Sequence, residues 1–306
     1  MRRAAISSQK NSKRRSPFAE RLAKLRYRMD KDGLPAILIG NLTNVQYLTG
    51  FSGSAGALLV ASGKSTFFSD SRYDIQAHEE VQGSTVKIVK GDALAAAAQW
   101  AAKSRAKRLG FEAGTVSYQT HQRLKELVPR ARWVPTRGIV EELRVQKDPE
   151  EIELIRKAVY LGSRALEETL PLLRLGMTEL EVAAEIEYRM RRYGGERPSF
   201  ETIVATGPRS ALPHARATSR RIRAKEFILL DLGVILDGYS SDMTRTVFLG
   251  KAPAKAAGVY KAVLEAILEG EEAVAGGRPG EEVDEAARKV LRRHGYERYF
   301  THSTGH

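Results

Sequence analysis

Short apolar runs alternate with amphipathic segments from about residue 17 to residue 140. An apolar run of four or five residues bounded by turn residues is typical of a strand, and the segments between the runs carry apolar residues at helical spacing. This alternation predicts an α/β domain over residues 17–140. The strands that it predicts are 35–39, 57–60, 65–68, 86–89 and 108–111.

The composition becomes polar and charged between residues 137 and 149, which indicates a domain boundary. Asp148 and Pro149 then supply an N-cap and a proline at the first helical position, with Glu151 at the third. We expect a second, α+β domain over residues 145–306, in the order helix, helix, hairpin, helix, helix. Residues 1–16 are predicted to be a basic, disordered tail.

The hairpin of the second domain is predicted by two apolar runs on either side of Asp237 and Gly238. An Asp-Gly pair favours a tight turn between antiparallel strands. With the turn centred on that pair, Asp231 faces Thr244, and Asp242 lies diagonally across from Asp231. Both carboxylates are then expected on one face of the sheet, whereas a slip of one residue would separate them.

Two carboxylates on an apolar sheet face need a positive partner, because burial of an unpaired ion is costly. The Cβ atoms of diagonal neighbours lie roughly 7–8 Å apart or somewhat less, a gap that metal ions could fill. Arg245 is predicted to point to the opposite face, so a metal is the better candidate. The alternative is that Asp242 ends a serine-rich turn and Asp231 is a strand-end residue at the surface.

A weak internal repeat relates the two pairs of helices in the second domain. Six residues recur 101 positions later in the chain: Gly176, Glu181, Val182, Arg191, Arg192 and Gly194 match Gly277, Glu282, Val283, Arg292, Arg293 and Gly295. Capping and helix-stop residues also recur by chance, so two unrelated amphipathic helices remain an alternative.

The net charge of +13 is concentrated near the N-terminus. Residues 1–28 carry ten Lys/Arg against the single acidic residue Glu20. A basic arm of this kind is more often a solvated extension than a nucleic-acid site, so nucleic acid is not an expected partner. The chain contains no cysteine, which excludes disulfides and thiolate ligands. No apolar run approaches a membrane span or a secretory signal, and we expect a cytoplasmic protein.

Several longer motifs, taken with the hairpin and the repeat, resemble the creatinase, prolidase and methionine-aminopeptidase family. The resemblance is closest to Xaa-Pro aminopeptidases and prolidases. Segments 44–53 and 70–73 match the N-terminal domain of that family, and segments 140–144 and 147–152 match the entry to its catalytic domain. Segments 199–207 and 212–214 match the part that brings a substrate-contacting histidine into the site.

The resemblance implies an α/β N-terminal creatinase-like domain followed by an α+β pita-bread catalytic domain that is incomplete at the C-terminus. Two aspartates, one histidine and two glutamates bind a pair of divalent ions in that family, usually manganese, cobalt or zinc. By motif, Asp231 would be a bidentate ligand, Asp242 the bridging ligand and His306 the histidine ligand. His214 and His302 would contact the substrate.

The implied activity is metal-dependent hydrolysis of the bond that precedes proline, with a metal-activated hydroxide as the nucleophile. The implied substrates are peptides with proline in the second position, and the implied assembly is a homodimer. Manganese is the first choice of metal. Without the resemblance, His302 and His306 would be interpreted as a coincidence of helical spacing or as part of a disordered terminus.

Both glutamate ligands of the family motif would follow the position of His306, where the sequence ends. We therefore expect the 306-residue chain to hold metal weakly or not at all, and to be inactive as it stands. One alternative is a non-catalytic protein-binding relative on the same fold. A metal-independent relative such as creatinase is a further alternative, but the two retained aspartates argue against it.

Overall fold

The structure is a computed structural model that describes residues 16–103 and 108–305. The chain divides into two compact units, one ending at Asp148 and the other beginning at Pro149. Most of the predicted tail, and His306, lie outside the described residues. Within residues 16–103 and 108–305, every helix is too short or too polar to cross a lipid bilayer.

The first unit is a mixed six-stranded sheet with helices on both faces. The strand order is β4-β3-β2-β1-β5-β6, and β1 is antiparallel to β2 but parallel to β5. The elements are α1 Pro17–Lys31, β1 Ala36–Ile39, α2 Leu42–Thr49, β2 Ala57–Ala61, β3 Ser65–Asp70, α3 Asp74–Glu80, β4 Thr85–Val89, α4 Ala93–Lys103, β5 Arg108–Glu112, α5 Tyr118–Leu127, β6 Arg132–Thr136 and α6 Glu141–Val145.

Strand β1 shows why the predicted strands have continuous apolar sequences. Ile37 and Ile39 point into one hydrophobic cluster together with Leu22 and Leu25 of α1. Leu38 points into the opposite cluster, which α4 completes with three alanines. A sheet covered on both faces buries every residue of its central strands, so no polar alternation appears.

All five strands predicted in this unit are present, and the edge strand β6 was missed. Pro135 within β6 argues against a strand in the sequence, because proline cannot donate to a ladder. The structure places β6 at the end of the sheet, where it pairs only with β5 among the described strands.

The second unit contains the predicted order of two helices, a hairpin and two helices. Two short strands, β7 and β8, were not predicted. The strands form two sheets, with orders β11-β10-β7 and β12-β9-β8. The elements are α7 Pro149–Thr169, α8 Glu179–Arg192, β7 Arg197–Pro198, β8 Ile203–Thr206, β9 Phe227–Leu232, β10 Val234–Leu236, β11 Tyr239–Ser240, β12 Met243–Phe248, α9 Ala254–Ala273 and α10 Gly280–Arg293.

Helices α7 and α8 pack on the strands through one apolar cluster. Ala158 and Ala165 of α7 and Ile186 of α8 share this cluster with Leu230 and Leu232 of β9. Close approach of α7 to the hairpin requires small residues at their interface. A Cβ at Gly162 would lie 3.4 Å from Ser241 Oγ.

The structure supports the internal repeat. Helices α8 and α10 are 101 residues apart at both ends, and each is followed by a glycine at positive φ, 97° for Gly194 and 73° for Gly295. The amide of Gly195 donates to Met190, and the amide of Tyr296, 101 residues later, donates to Leu291. Both bonds are those expected where a helix ends in a glycine at positive φ, so two unrelated helices with such ends remain an alternative.

Candidate active site

The hairpin has the predicted turn and register. Asp237 and Gly238 both have positive φ, 48° and 79°, as a tight turn between antiparallel strands requires. Asp231 pairs with Thr244 across β9 and β12. The predicted turn and the predicted pairing of Asp231 with Thr244 are therefore confirmed.

Gly233 divides the hairpin between the two sheets. A Cβ at Gly233 would lie 2.1 Å from the carbonyl oxygen of Ser241, so only glycine allows the two chains to approach here. Ser199 bridges the two chains at this point, which we call the backbone crossing. Its hydroxyl donates to the Ser241 carbonyl at 2.9 Å, and its amide donates to the Gly233 carbonyl at 3.0 Å. The hairpin consequently leaves one sheet and joins the other directly beside Asp231 and Asp242.

The two aspartates differ in their surroundings. Asp231 lies on the central strand β9 and is only 8% exposed. The hydroxyl of Thr244 donates a hydrogen bond to Asp231 Oδ1 at 2.9 Å. Asp242 lies in the short link before β12 and is exposed. The alternative in which Asp231 is a surface residue at a strand end is therefore wrong, and Asp242 remains accessible to a ligand.

Asp231, Asp242 and His214 line one cavity of about 390 Å³. His214 belongs to the loop between β8 and β9, and its side chain is exposed. Ile203 of β8 also lines the cavity and pairs with Asp231 in the sheet. Three of the five predicted site residues are thus brought together by the sheet β12-β9-β8 and the loop that follows β8.

An ion pair that the sequence did not reveal also lines this cavity. Glu201 and Arg216 contact each other, with Arg216 Nε 3.1 Å from Glu201 Oε2. Both side chains are largely exposed to solvent. They are 15 residues apart, and no local rule pairs charges across a loop of that length. The sequence indicated a role for these residues only by their positions, Glu201 within motif segment 199–207 and Arg216 just after segment 212–214.

His302 does not line the cavity. Its ring lies 5.0 Å from that of Phe300, and Arg288 of α10 donates to its carbonyl oxygen at 2.7 Å. His306 lies outside the described residues. The residues that the structure describes contain no group of three or more histidine, aspartate or glutamate side chains that could hold a metal ion.

The donors at the cavity nonetheless fit a divalent cation of the expected kind. Asp231 and Asp242 supply carboxylate oxygens to the same cavity. Carboxylate oxygens are donors that suit manganese. A buried carboxylate that faces a cavity, as Asp231 does, is also the arrangement in which a bound cation offsets the cost of desolvation.

Comparison with known proteins identifies the class to which this fold and cavity belong. Residues 153–306 match the model of Metallopeptidase family M24, and residues 21–146 match the Creatinase/Prolidase N-terminal domain. The chain belongs to the M24 metallopeptidase family, with a creatinase-type N-terminal domain before a pita-bread catalytic domain.

Individual relatives match over most of the chain. It is 35% identical to the Xaa-Pro dipeptidase of Pyrococcus furiosus, over 94% of this chain and 81% of the relative. A solved Xaa-Pro dipeptidase from Bacillus anthracis has a TM-score of 0.90 and 36% identity, over 94% of this chain and 81% of that one. The X-Pro aminopeptidase of Thermotoga maritima has a TM-score of 0.83 and 32% identity, over 89% and 79%. All three relatives are named as Xaa-Pro peptidases, and the family model that the chain matches is one of metallopeptidases.

Proposed function

We propose that this chain is an Xaa-Pro peptidase, which hydrolyses the bond that precedes proline in a short peptide. The observation that carries the proposal is that Asp231, Asp242 and His214 line one cavity in a chain of the M24 family. The names of two relatives, an Xaa-Pro dipeptidase and an X-Pro aminopeptidase, support the choice of substrate.

Asp231 and Asp242 would hold the divalent ions together with His306, and manganese is proposed before cobalt or zinc. When bound, such ions supply a nucleophilic water at neutral pH and polarise the scissile carbonyl. Thr244 orients the Asp231 carboxylate by donating a hydrogen bond to Oδ1. Because Asp231 lies on a central strand, its carboxylate is held more rigidly than one on a loop.

His214 would donate a hydrogen bond to the scissile carbonyl oxygen and stabilise the charge that develops there. Its position on the cavity wall allows this contact with a peptide that enters the cavity. His302 would orient the substrate backbone, a role that requires its segment to approach the cavity when a peptide is bound. The expectations that the 306-residue chain holds metal weakly or not at all, and that it is inactive as it stands, stay predictions.

The test is hydrolysis of matched dipeptides by the 306-residue chain with added Mn²⁺. Any cleavage by this chain should be confined to Ala-Pro, with Ala-Ala resistant, and it should be weak or absent if the chain holds metal weakly or not at all. Asp231→Asn should abolish cleavage, whereas Asp237→Asn removes a carboxylate from the same hairpin at the turn and should leave it unchanged. Equal cleavage of both dipeptides would contradict the Xaa-Pro assignment. Cleavage of Ala-Pro-Ala separates an aminopeptidase from a strict dipeptidase.

A non-catalytic peptide-binding protein on the same fold is a second candidate. The cavity lined by Asp231, Asp242 and His214 would also accommodate a peptide that is bound and not cleaved. The dipeptide assay distinguishes the two functions when calorimetric binding of Ala-Pro is measured alongside it. Binding without turnover, in the presence of Mn²⁺, would favour the second candidate.

Homodimer formation and a cytoplasmic location also stay predictions. Sedimentation equilibrium over a range of protein concentrations measures the first. We expect a mass of twice 33.9 kDa. A mass of 33.9 kDa at all concentrations would show a monomer.

A further inference from the structure

A single buried carboxylate holds both ends of the loop that carries His214. Glu179 opens helix α8 and has no exposed surface. Its Oε1 accepts hydrogen bonds from the amide and the hydroxyl of Thr206, both at 2.9 Å. Its Oε2 accepts from the amide of Thr218 at 3.0 Å and from its hydroxyl at 2.7 Å. The residues on either side of segment 207–217, which includes His214, are therefore both hydrogen-bonded to one side chain.

Arg209 ties the interior of the same loop to this carboxylate. Its Nε lies 3.2 Å from Glu179 Oε2, and its guanidinium also donates to the carbonyl of Arg216. Arg216 is two residues beyond His214 in the chain. Glu179 thus contacts the loop at its start, at its end and at Arg209. The bond from Arg209 to Arg216 then links two interior positions of the loop.

The charge of Glu179 is stabilised inside the protein. Burial raises the pKa of its carboxyl, but the hydrogen bonds from Thr218 and Thr206 outweigh burial, so the pKa lies below its ordinary value. The ionised carboxylate accepts bonds at both oxygens. A neutral amide of the same size accepts at one oxygen and presents a donor at the other, where Thr206 or Thr218 also donates.

We propose that Glu179 is a positioning residue, which fixes residues 207–217 so that His214 faces the cavity beside Asp231. This proposal rests on the proposed function for its effect on catalysis, but not for its effect on the loop. Glu179 itself does not line the cavity. It would therefore act through His214 and make no contact with the substrate.

The test compares Glu179→Gln with Glu181→Gln. Glu181 lies two residues further along α8 and accepts a solvent-exposed hydrogen bond from the amide of the N-cap residue Thr178. We expect amide hydrogen exchange of residues 207–217 to accelerate by about tenfold in Glu179→Gln, since one end of the loop is released. The NMR resonance of the His214 ring should shift. Neither change is expected in Glu181→Gln.

A second readout separates positioning from general stabilisation. If the dipeptides are cleaved, Glu179→Gln should lower kcat more than it raises KM, because His214 acts in the transition state. Acceleration of exchange throughout residues 149–305 would indicate a merely structural role and would overturn the proposal. Unchanged exchange and an unchanged His214 resonance would also overturn it.

Thr218→Val serves if Glu179→Gln does not fold, because it removes one donor and leaves the carboxylate in place. We expect a smaller acceleration of exchange confined to the same loop, and no acceleration would overturn the proposal. If the wild type neither binds nor cleaves Ala-Pro while the exchange pattern is as expected, the proposed function fails and the positioning of the loop stands.

Discussion

Gly233 and the carbonyl of Ser241 approach so closely that a Cβ on Gly233 would lie 2.1 Å from the carbonyl oxygen. This approach transfers the hairpin from one sheet to the other between Asp231 and Asp242. The two carboxylates are therefore placed by the same backbone crossing. Substitutions at this crossing affect both stability and the candidate metal site.

We expect Gly233→Ala to lower the free energy of unfolding by roughly 2–3 kcal/mol, because a methyl group in this position must displace backbone. Gly258→Ala is the matched control, since nothing lies near a Cβ at that position of helix α9 and alanine is the better helix former. Urea unfolding of both variants measures the difference. Equal stability of the two variants would show that the crossing relaxes without cost.

Glu112 should make the stability of the first unit depend on pH. Burial raises the pKa of its carboxyl, and the hydrogen bonds from Asn44, Asn41 and Gly40 offset only part of this effect. A group whose pKa is raised on folding contributes stability below its unfolded pKa, and that contribution is lost as the pH rises through the folded pKa. The Glu112→Gln variant has no carboxyl at this position, so its stability should not decrease in this way as the pH rises.

Urea midpoints of wild type and Glu112→Gln, measured from pH 4 upward, test this prediction. The stability of the variant relative to wild type should increase as the pH rises above the ordinary glutamate value of 4.5. Parallel curves for the two proteins would show that Glu112 titrates alike in the folded and unfolded states.

If the chain cleaves Ala-Pro, His214→Gln should lower kcat by about 10²–10³-fold, the usual effect of removing one donor to a developing oxyanion. Binding of Mn²⁺ should change little, because His214 is assigned to the substrate. His294→Gln is the matched control, since His294 contacts Glu265 on helix α9 and does not line the cavity. A similar loss of activity in both variants would contradict the proposed hydrogen bond from His214 to the scissile carbonyl.

Sequence patterns predicted the parts of the fold that depend on local rules. The Asp237-Gly238 turn fixed the register of the hairpin, and the register placed Asp231 opposite Thr244. The predicted repeat spacing recurs in helices α8 and α10. Strand β6 was missed because Pro135 is unfavourable in a strand, and only its position at the sheet edge makes proline acceptable.

The candidate site was only partly predictable, because some of its contacts depend on how distant segments meet. Glu201 and Arg216 form an ion pair across a long loop. In the sequence, Glu179 has the features of an ordinary acidic residue at a helix N-terminus. Its contacts with Thr206 and Thr218 appear only in the folded unit. The motif match placed His302 at the site, yet His302 does not line the cavity.

The central claim is that Asp231 and Asp242 hold divalent ions, and a Mn²⁺ titration followed by electron paramagnetic resonance tests it directly. The titration compares wild type with Asp231→Asn, Asp242→Asn and the turn variant Asp237→Asn. We predict weak but saturable binding by wild type and Asp237→Asn, since some ligands of the family motif are missing, and affinity lower by a further factor of about ten or more in the other two variants. Equal affinity in all four proteins would contradict the assignment of the site.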